Sequence, residues 1–215
     1  MNNKNLVVIA FVVVLLVVIA AFMTRTSRDT DDAVFEQTVS TPEITFGYPD
    51  DFGLVVTPEQ ILVHSYIPPC MNFDYCLYYN DDTYTGTNFG SAGIGIKKRT
   101  DLATSAMCLE VPPEGYSDFS FKRVETPEYS MSYGSVGGGA AGHFDQGVLY
   151  RVSFADSCYQ FETSVSQSQF LNYEPGSIKE FTAADEAIVL GKIEQILDNV
   201  TITETEQKIS FPKAE

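Results

Sequence analysis

The chain's two histidines, His64 and His143, are its first candidates for chemistry. Imidazole changes charge near neutral pH and ligates metals, so a converging pair with a carboxylate would make a general base or a metal site. His64 stands in the apolar run Ile61-Leu62-Val63-His64-Ser65-Tyr66, where a half-buried strand position is expected. His143 follows the glycine run Gly137–Gly142, with Asp145 two residues on, and is expected at the surface. No spacing supplies a third ligand, so no metal and no cofactor are expected.

Other motifs fall short of the chemistry they imitate. Gly137-Gly138-Gly139-Ala140-Ala141-Gly142 matches G-x-G-x-x-G literally, but a dinucleotide site needs a helix N-terminus after the glycines. His143 to Gly147 leads into a strand pattern instead, so the run is expected to be a flexible loop. A nucleophile elbow needs G-x-S-x-G; Ser135 has Tyr133 and Ser91 has Phe89 where the first glycine belongs. The acidic residues Asp50-Asp51, Asp74 and Asp81-Asp82 lie beside turn residues, where Asp accepts backbone hydrogen bonds. They lack the calcium-loop pattern D-x-[DN]-x-[DN]-G.

Between Tyr66 and Phe89 stand Phe73, Tyr75, Tyr78, Tyr79 and Tyr84. Alternate strand positions pack a core; any that are exposed beside Asp81 and Asp82 would suit a protein or glycan partner. Tyr75, Tyr78, Tyr79, Asp81, Asp82 and His143 are therefore the candidate binding residues, and no catalytic residue is assigned. The absence of tryptophan tells mildly against sugar stacking.

The four cysteines are Cys70, Cys76, Cys108 and Cys158. Their spacings lack the close pairs of zinc sites, and an even count in an exported domain reads as two disulfides. Of three connectivities, Cys70–Cys76 with Cys108–Cys158 is preferred, though spacing alone does not fix it.

Export is expected because Leu6 to Met23 is an uninterrupted apolar run of 18 residues without charge, Gly or Pro. As a helix it is roughly 27 Å long, close to the hydrocarbon thickness of a bilayer. It exceeds the roughly 7 to 15 residues usual for a signal-peptide core, and Ile19-Ala20-Ala21 fits a cleavage site poorly. No Cys follows closely, as a lipoprotein would need. The expected organisation is a cytoplasmic N-terminus 1–5, a signal anchor 6–23, a linker 24–41, an extracytoplasmic domain 42–204 and a loose tail 205–215, giving a single-pass cell-membrane protein. Beyond Asp29 the chain carries ten cations against 28 acidic residues. Such a surface repels polyanions, so nucleic acid is excluded as a partner.

The domain reads as short strands broken by turns. Gly147–Phe154 and Cys158–Val165 form the clearest hairpin, joined by Ala155-Asp156-Ser157. Thr100-Asp101 is expected to cap a short helix through Cys108. Thr182 to Asp185 is a capping box, followed by an apolar stripe through Val189, Ile193, Ile196, Leu197 and Val200. The fold class is α+β: the N-terminal transmembrane helix, then an antiparallel β-sheet domain flanked by helices.

Phe46-Gly47-Tyr48-Pro49 near the domain start, Gly147-Val148-Leu149-Tyr150, and Ile193 to Ile202 at the end resemble the PsbP-like (oxygen-evolving-enhancer) fold, a twisted antiparallel sheet sandwiched by helices. The resemblance spans some 170 residues, rests on short structural motifs, and finds no counterpart for Pro68 to Gly115. It implies a non-enzymatic binding or assembly role by analogy; no photosynthetic role is carried over. The expected function is thus a membrane-anchored, extracytoplasmic, non-catalytic binding or assembly module. The alternative is an extracytoplasmic enzyme or metal-dependent binding protein using the Gly137–Gly142 loop and His143, and a structural envelope component is a third possibility.

Overall fold

A computed structural model of the chain describes residues 35–55, 70–113 and 119–213. The expected anchor 6–23, most of the linker, His64 and Tyr66 lie outside the described residues. Among the described residues no helix is long and apolar enough to cross a membrane.

The strands, in chain order, are β1 (Gln37–Ser40), β2 (Ile44–Tyr48), β3 (Phe52–Val55), β4 (Tyr75–Tyr79), β5 (Phe89–Lys98), β6 (Lys122–Glu125), β7 (Ser130–Ala140), β8 (His143–Phe154), β9 (Ser157–Ser168), β10 (Thr201–Ile202) and β11 (Gln207–Lys208). The helices are α1 (Ser105–Glu110) and α2 (Ala183–Leu197). Seven strands form one antiparallel sheet in the order β3-β4-β5-β9-β8-β7-β6. The other four form a small sheet, β1-β2-β10-β11.

Alternation along the central strands divides the large sheet into two faces. Ile94 and Ile96 of β5, Tyr150 and Val152 of β8, and Phe161 and Val165 of β9 point to an inner face. They pack there with Val189, Ile193, Ile196 and Leu197 of α2 and with Phe46 and Ile202 of the small sheet. The capping box is in place: Thr182 Oγ1 accepts from the Asp185 N–H and the Asp185 carboxylate accepts from the Thr182 N–H. The outer face carries Cys158, Gln160, Glu162 and Ser164 of β9 and Arg151 of β8, beneath α1 and the segment around Phe119.

Several expectations are corrected. The fold begins inside the expected linker, because β1 pairs with β2 and buries Val39. The expected loose tail is anchored: β11 pairs with β10, Ile209 and Phe211 are buried, and the Tyr150 hydroxyl donates to the Pro212 carbonyl. The helix before Cys108 starts later, with Thr104 as its cap. The β8–β9 turn has two residues, Ala155-Asp156, since Ala155 adopts φ 48° and lets Phe154 pair with Ser157. The glycine run is not a loop: Gly137 to Ala140 continue β7 in register with β8. Only Ala141-Gly142 turn, with φ of 51° and 79°, the left-handed pair that closes a tight hairpin.

Candidate functional site

The residues marked as a binding cluster do not come together, because neighbours on one strand point to opposite faces. Tyr75 is half-buried on the inner face, its ring edge-on to Phe46 at 5.8 Å. Tyr79 is buried among Phe52, Tyr84 and Phe89, with Lys192 Nζ 5.3 Å from its ring centre. Lys192 in turn ion-pairs with Asp51. Tyr78 lies on the outer face, against Val55 and the Cys70–Cys76 pair and over Gly53. Asp81 caps the turn Asp82–Tyr84, accepting from the Thr83 N–H at 2.8 Å and its hydroxyl at 2.7 Å, which holds its carboxyl below the ordinary carboxylate range. Asp82 is exposed. His143 opens β8, two strands beyond β5, where Nδ1 lies 2.9 Å from the exposed Ser168 hydroxyl. The glycines run in a strand and His143 is exposed, and among the described residues no three His, Cys, Asp or Glu side chains group so as to hold a metal ion.

Cys70 pairs with Cys76 and Cys108 with Cys158, the preferred connectivity, so all four cysteines are bonded. Both disulfides lie on the outer face. The second fastens α1 to β9, and Leu102 and Leu109 pack around it.

Beside that staple is a buried polar cluster that no motif announced. Gln160 Oε1 accepts from Arg99 and, at 3.2 Å, from Arg151 Nε; Gln160 Nε2 donates to Glu162. Arg151 Nη1 also donates to the Val111 and Cys108 carbonyls, satisfying backbone acceptors that the end of α1 leaves unpaired. Its guanidinium lies 5.8 Å from the Phe121 ring centre. Arg99 is held from its other side by Asp101, at 2.8 and 2.6 Å. The path from Glu162 to either cation therefore runs through one amide.

Burial governs the electrostatics here. It pushes the Glu162 carboxyl up to about 7, against the hydrogen bond from Gln160 and the charges of Arg151, Arg99 and Lys97. Burial, with the like charge of Arg99 second, lowers Arg151 to about 10, so it stays cationic at neutral pH. The Ser164 hydroxyl, next on the same face of β9, is buried with no hydrogen-bond partner among the described residues, so Glu162 does not hold it as a base holds a nucleophile. The cluster orders α1 on the sheet. One signal of it is legible: Cys158, Gln160, Glu162, Ser164 and Ser166 alternate along β9. Polar alternation ordinarily marks a solvated face, and only the fold shows that this one is covered.

The segments stapled to the outer face present apolar side chains to solvent. Met71 lies inside the short disulfide loop, Met107 precedes Cys108, and Val111 ends α1; each is at least 39% exposed.

No protein-family model matches the chain, and no curated protein matches it. Among solved structures it is similar to LpqN, a protein involved in cell envelope biogenesis of Mycobacterium tuberculosis, at 12% identity and a TM-score of 0.44, over 78% of this chain and 90% of that one. It is also similar to a protein from Bacteroides thetaiotaomicron at 13% identity and a TM-score of 0.39, over 76% of this chain and 47% of that one. Likenesses this distant carry no function across, and neither is specific to the PsbP-like fold.

Proposed function

We propose that this chain is a membrane-held, extracytoplasmic and non-catalytic binding or assembly module, which takes a protein or glycan partner on the outer face around α1. One observation carries the reading: both disulfides fasten to the outer face the short segments that bear the exposed Met71, Met107 and Val111. Disulfides persist in oxidising compartments, which supports a domain outside the cytoplasm. A backbone already held by a disulfide loses little freedom on binding, and exposed apolar side chains carried on it support a docking surface. Residues 6–23 have the length and composition to hold the domain at a bilayer.

The test uses the full chain in intact cells. Protease added outside is expected to digest the domain, and an impermeant thiol reagent is expected to label its cysteines only after reduction. Cross-linked partners should be lost from the Met71→Ser/Met107→Ser/Val111→Ser variant while its disulfides still form. Protection from protease, or four free thiols in unreduced protein, overturns the location; unchanged cross-linking by the triple variant overturns the docking surface.

A further inference from the structure

Sulfur occurs in two chemical states on the outer face. All four cysteines are bonded, so the reduced sulfur of the chain is the thioethers of its five methionines. Three of these lie among the described residues: Met71, Met107 and Met131. Met131 of β7 is fully buried in the core, whereas Met71 is 45% and Met107 41% exposed.

Each exposed methionine is the chain neighbour of a bonded cysteine. Met71 follows Cys70 in the turn Cys70–Asn72, which is closed by the bond to Cys76 and by the Phe73 N–H donating to the Cys70 carbonyl at 3.0 Å. Met107 precedes Cys108 in α1; its N–H donates to Thr104 Oγ1 at 3.2 Å, and Cys108 is bonded to Cys158. Side chains one residue apart on a helical turn point about 100–120° away from each other. Cys70 and Cys108 are only 2% and 1% exposed, so turning each cysteine inward turns its methionine outward. The disulfide beside it then keeps each methionine at the surface.

We propose that Met71 and Met107 are sulfoxidation sites, through which hydrogen peroxide releases the partner of the outer face. The proposal rests on the reading of that face as a docking surface. The methionine Sδ attacks one oxygen of the peroxide and the O–O bond breaks. The departing hydroxide removes the proton from the sulfur-bound oxygen and leaves as water. The thioether is thereby oxidised to a sulfoxide and the peroxide reduced. A sulfoxide is polar, so a partner that covers it must strip water from an oxygen to which an apolar contact offers no hydrogen bond. Hydrogen peroxide is neutral, and the chain's net charge of −16, which holds off anionic oxidants, does not repel it.

The test adds hydrogen peroxide to intact cells carrying the full chain, then cross-links the chain and maps it by mass. Met71 and Met107 should each gain one oxygen, while Met131 gains none and both disulfides persist. Cross-linked partner should fall roughly tenfold or more in the treated parent. Met71→Leu/Met107→Leu, which has apolar side chains without sulfur, should show no fall relative to its own untreated sample. Met71→Gln/Met107→Gln, with a polar amide in place of the sulfoxide, should cross-link as poorly without peroxide as the treated parent does. An untreated parent that cross-links no partner overturns the docking surface, and this proposal with it. Oxidation of both methionines with cross-linking unchanged overturns the proposal alone. So do a failure of either sulfur to take up oxygen, and an equal fall in the leucine variant, since the oxidised group then lies elsewhere.

Discussion

Glu162 is the residue whose surroundings depart furthest from what its type prefers. Its carboxyl is buried, accepts from Gln160, and is pushed up to about 7 from an ordinary 4.5. The folded chain therefore holds that proton more tightly than the unfolded chain does. The stabilisation is complete below about pH 4.5 and is lost as pH rises through 7. Glu162→Gln keeps an acceptor for Gln160 and removes the charge that burial penalises. At pH 8 the variant should be more stable than the parent by on the order of 2–3 kcal/mol, and at pH 5 the two should nearly coincide. Urea unfolding at both pH values reads this directly; equal stabilities at pH 8 would show that Arg151 and Arg99 already neutralise the buried carboxylate. Gly95 is a second such position, since the Phe73 ring lies 2.5 Å from where its Cβ would be. The outer face is packed against side chains that a strand pattern alone places in water.

At the level of elements, the parts whose signals are local were legible in the sequence. The box Thr182–Asp185 and the stripe Val189, Ile193, Ile196, Leu197 name α2 and its buried face, because capping and a 3.6-residue period need nothing beyond the helix itself. The short strand Ile44–Tyr48 was legible for the same reason, whereas the cysteine pairing was a preference among three connectivities that spacing alone did not fix. The glycine run was not, because Gly137 to Ala140 offer no side-chain pattern and are held as strand by main-chain pairing to β8. Nor was the scatter of Tyr75, Tyr78 and Tyr79 over two faces turned into a site, since which face is solvated depends on what covers it. Connectivity sets the weight of each disulfide. Closing a 50-residue separation should stabilise by about 4 kcal/mol, and closing six residues by about 2 kcal/mol, if chain entropy dominates. Replacing Cys108 and Cys158 together by Ala should then cost clearly more in urea unfolding than replacing Cys70 and Cys76. The reverse order would mean that the short loop, through Phe73 and Tyr78, holds more of the outer face than its length suggests.

The whole molecule is closed from its C-terminal side. α2 covers the inner face of the large sheet, but β10 and β11 complete the small sheet only after the chain returns from that helix, and Ile209 and Phe211 then fill the remaining gap. Phe211 packs edge-on to Tyr150 at 5.1 Å and to Phe161 at 5.0 Å, two central-strand residues. The Tyr129 hydroxyl accepts from the Ser210 N–H at 3.0 Å, tying the same segment to the start of β7. A polar, charged ending such as Glu204-Thr205-Glu206 resembles a frayed terminus, yet Glu206 adopts φ 54° and turns the chain back into a strand. The segment beyond it is therefore core, and its removal should act as a core mutation. Phe211→Ala should lower stability by about 3 kcal/mol or more, in the range of large aromatic truncations. Ending the chain at Glu206 should cost more still, since it also deletes β11 and Ile209. Urea unfolding of the parent, the point variant and the truncation measures the series; a truncated chain as stable as the parent would show that the domain closes without its last strand.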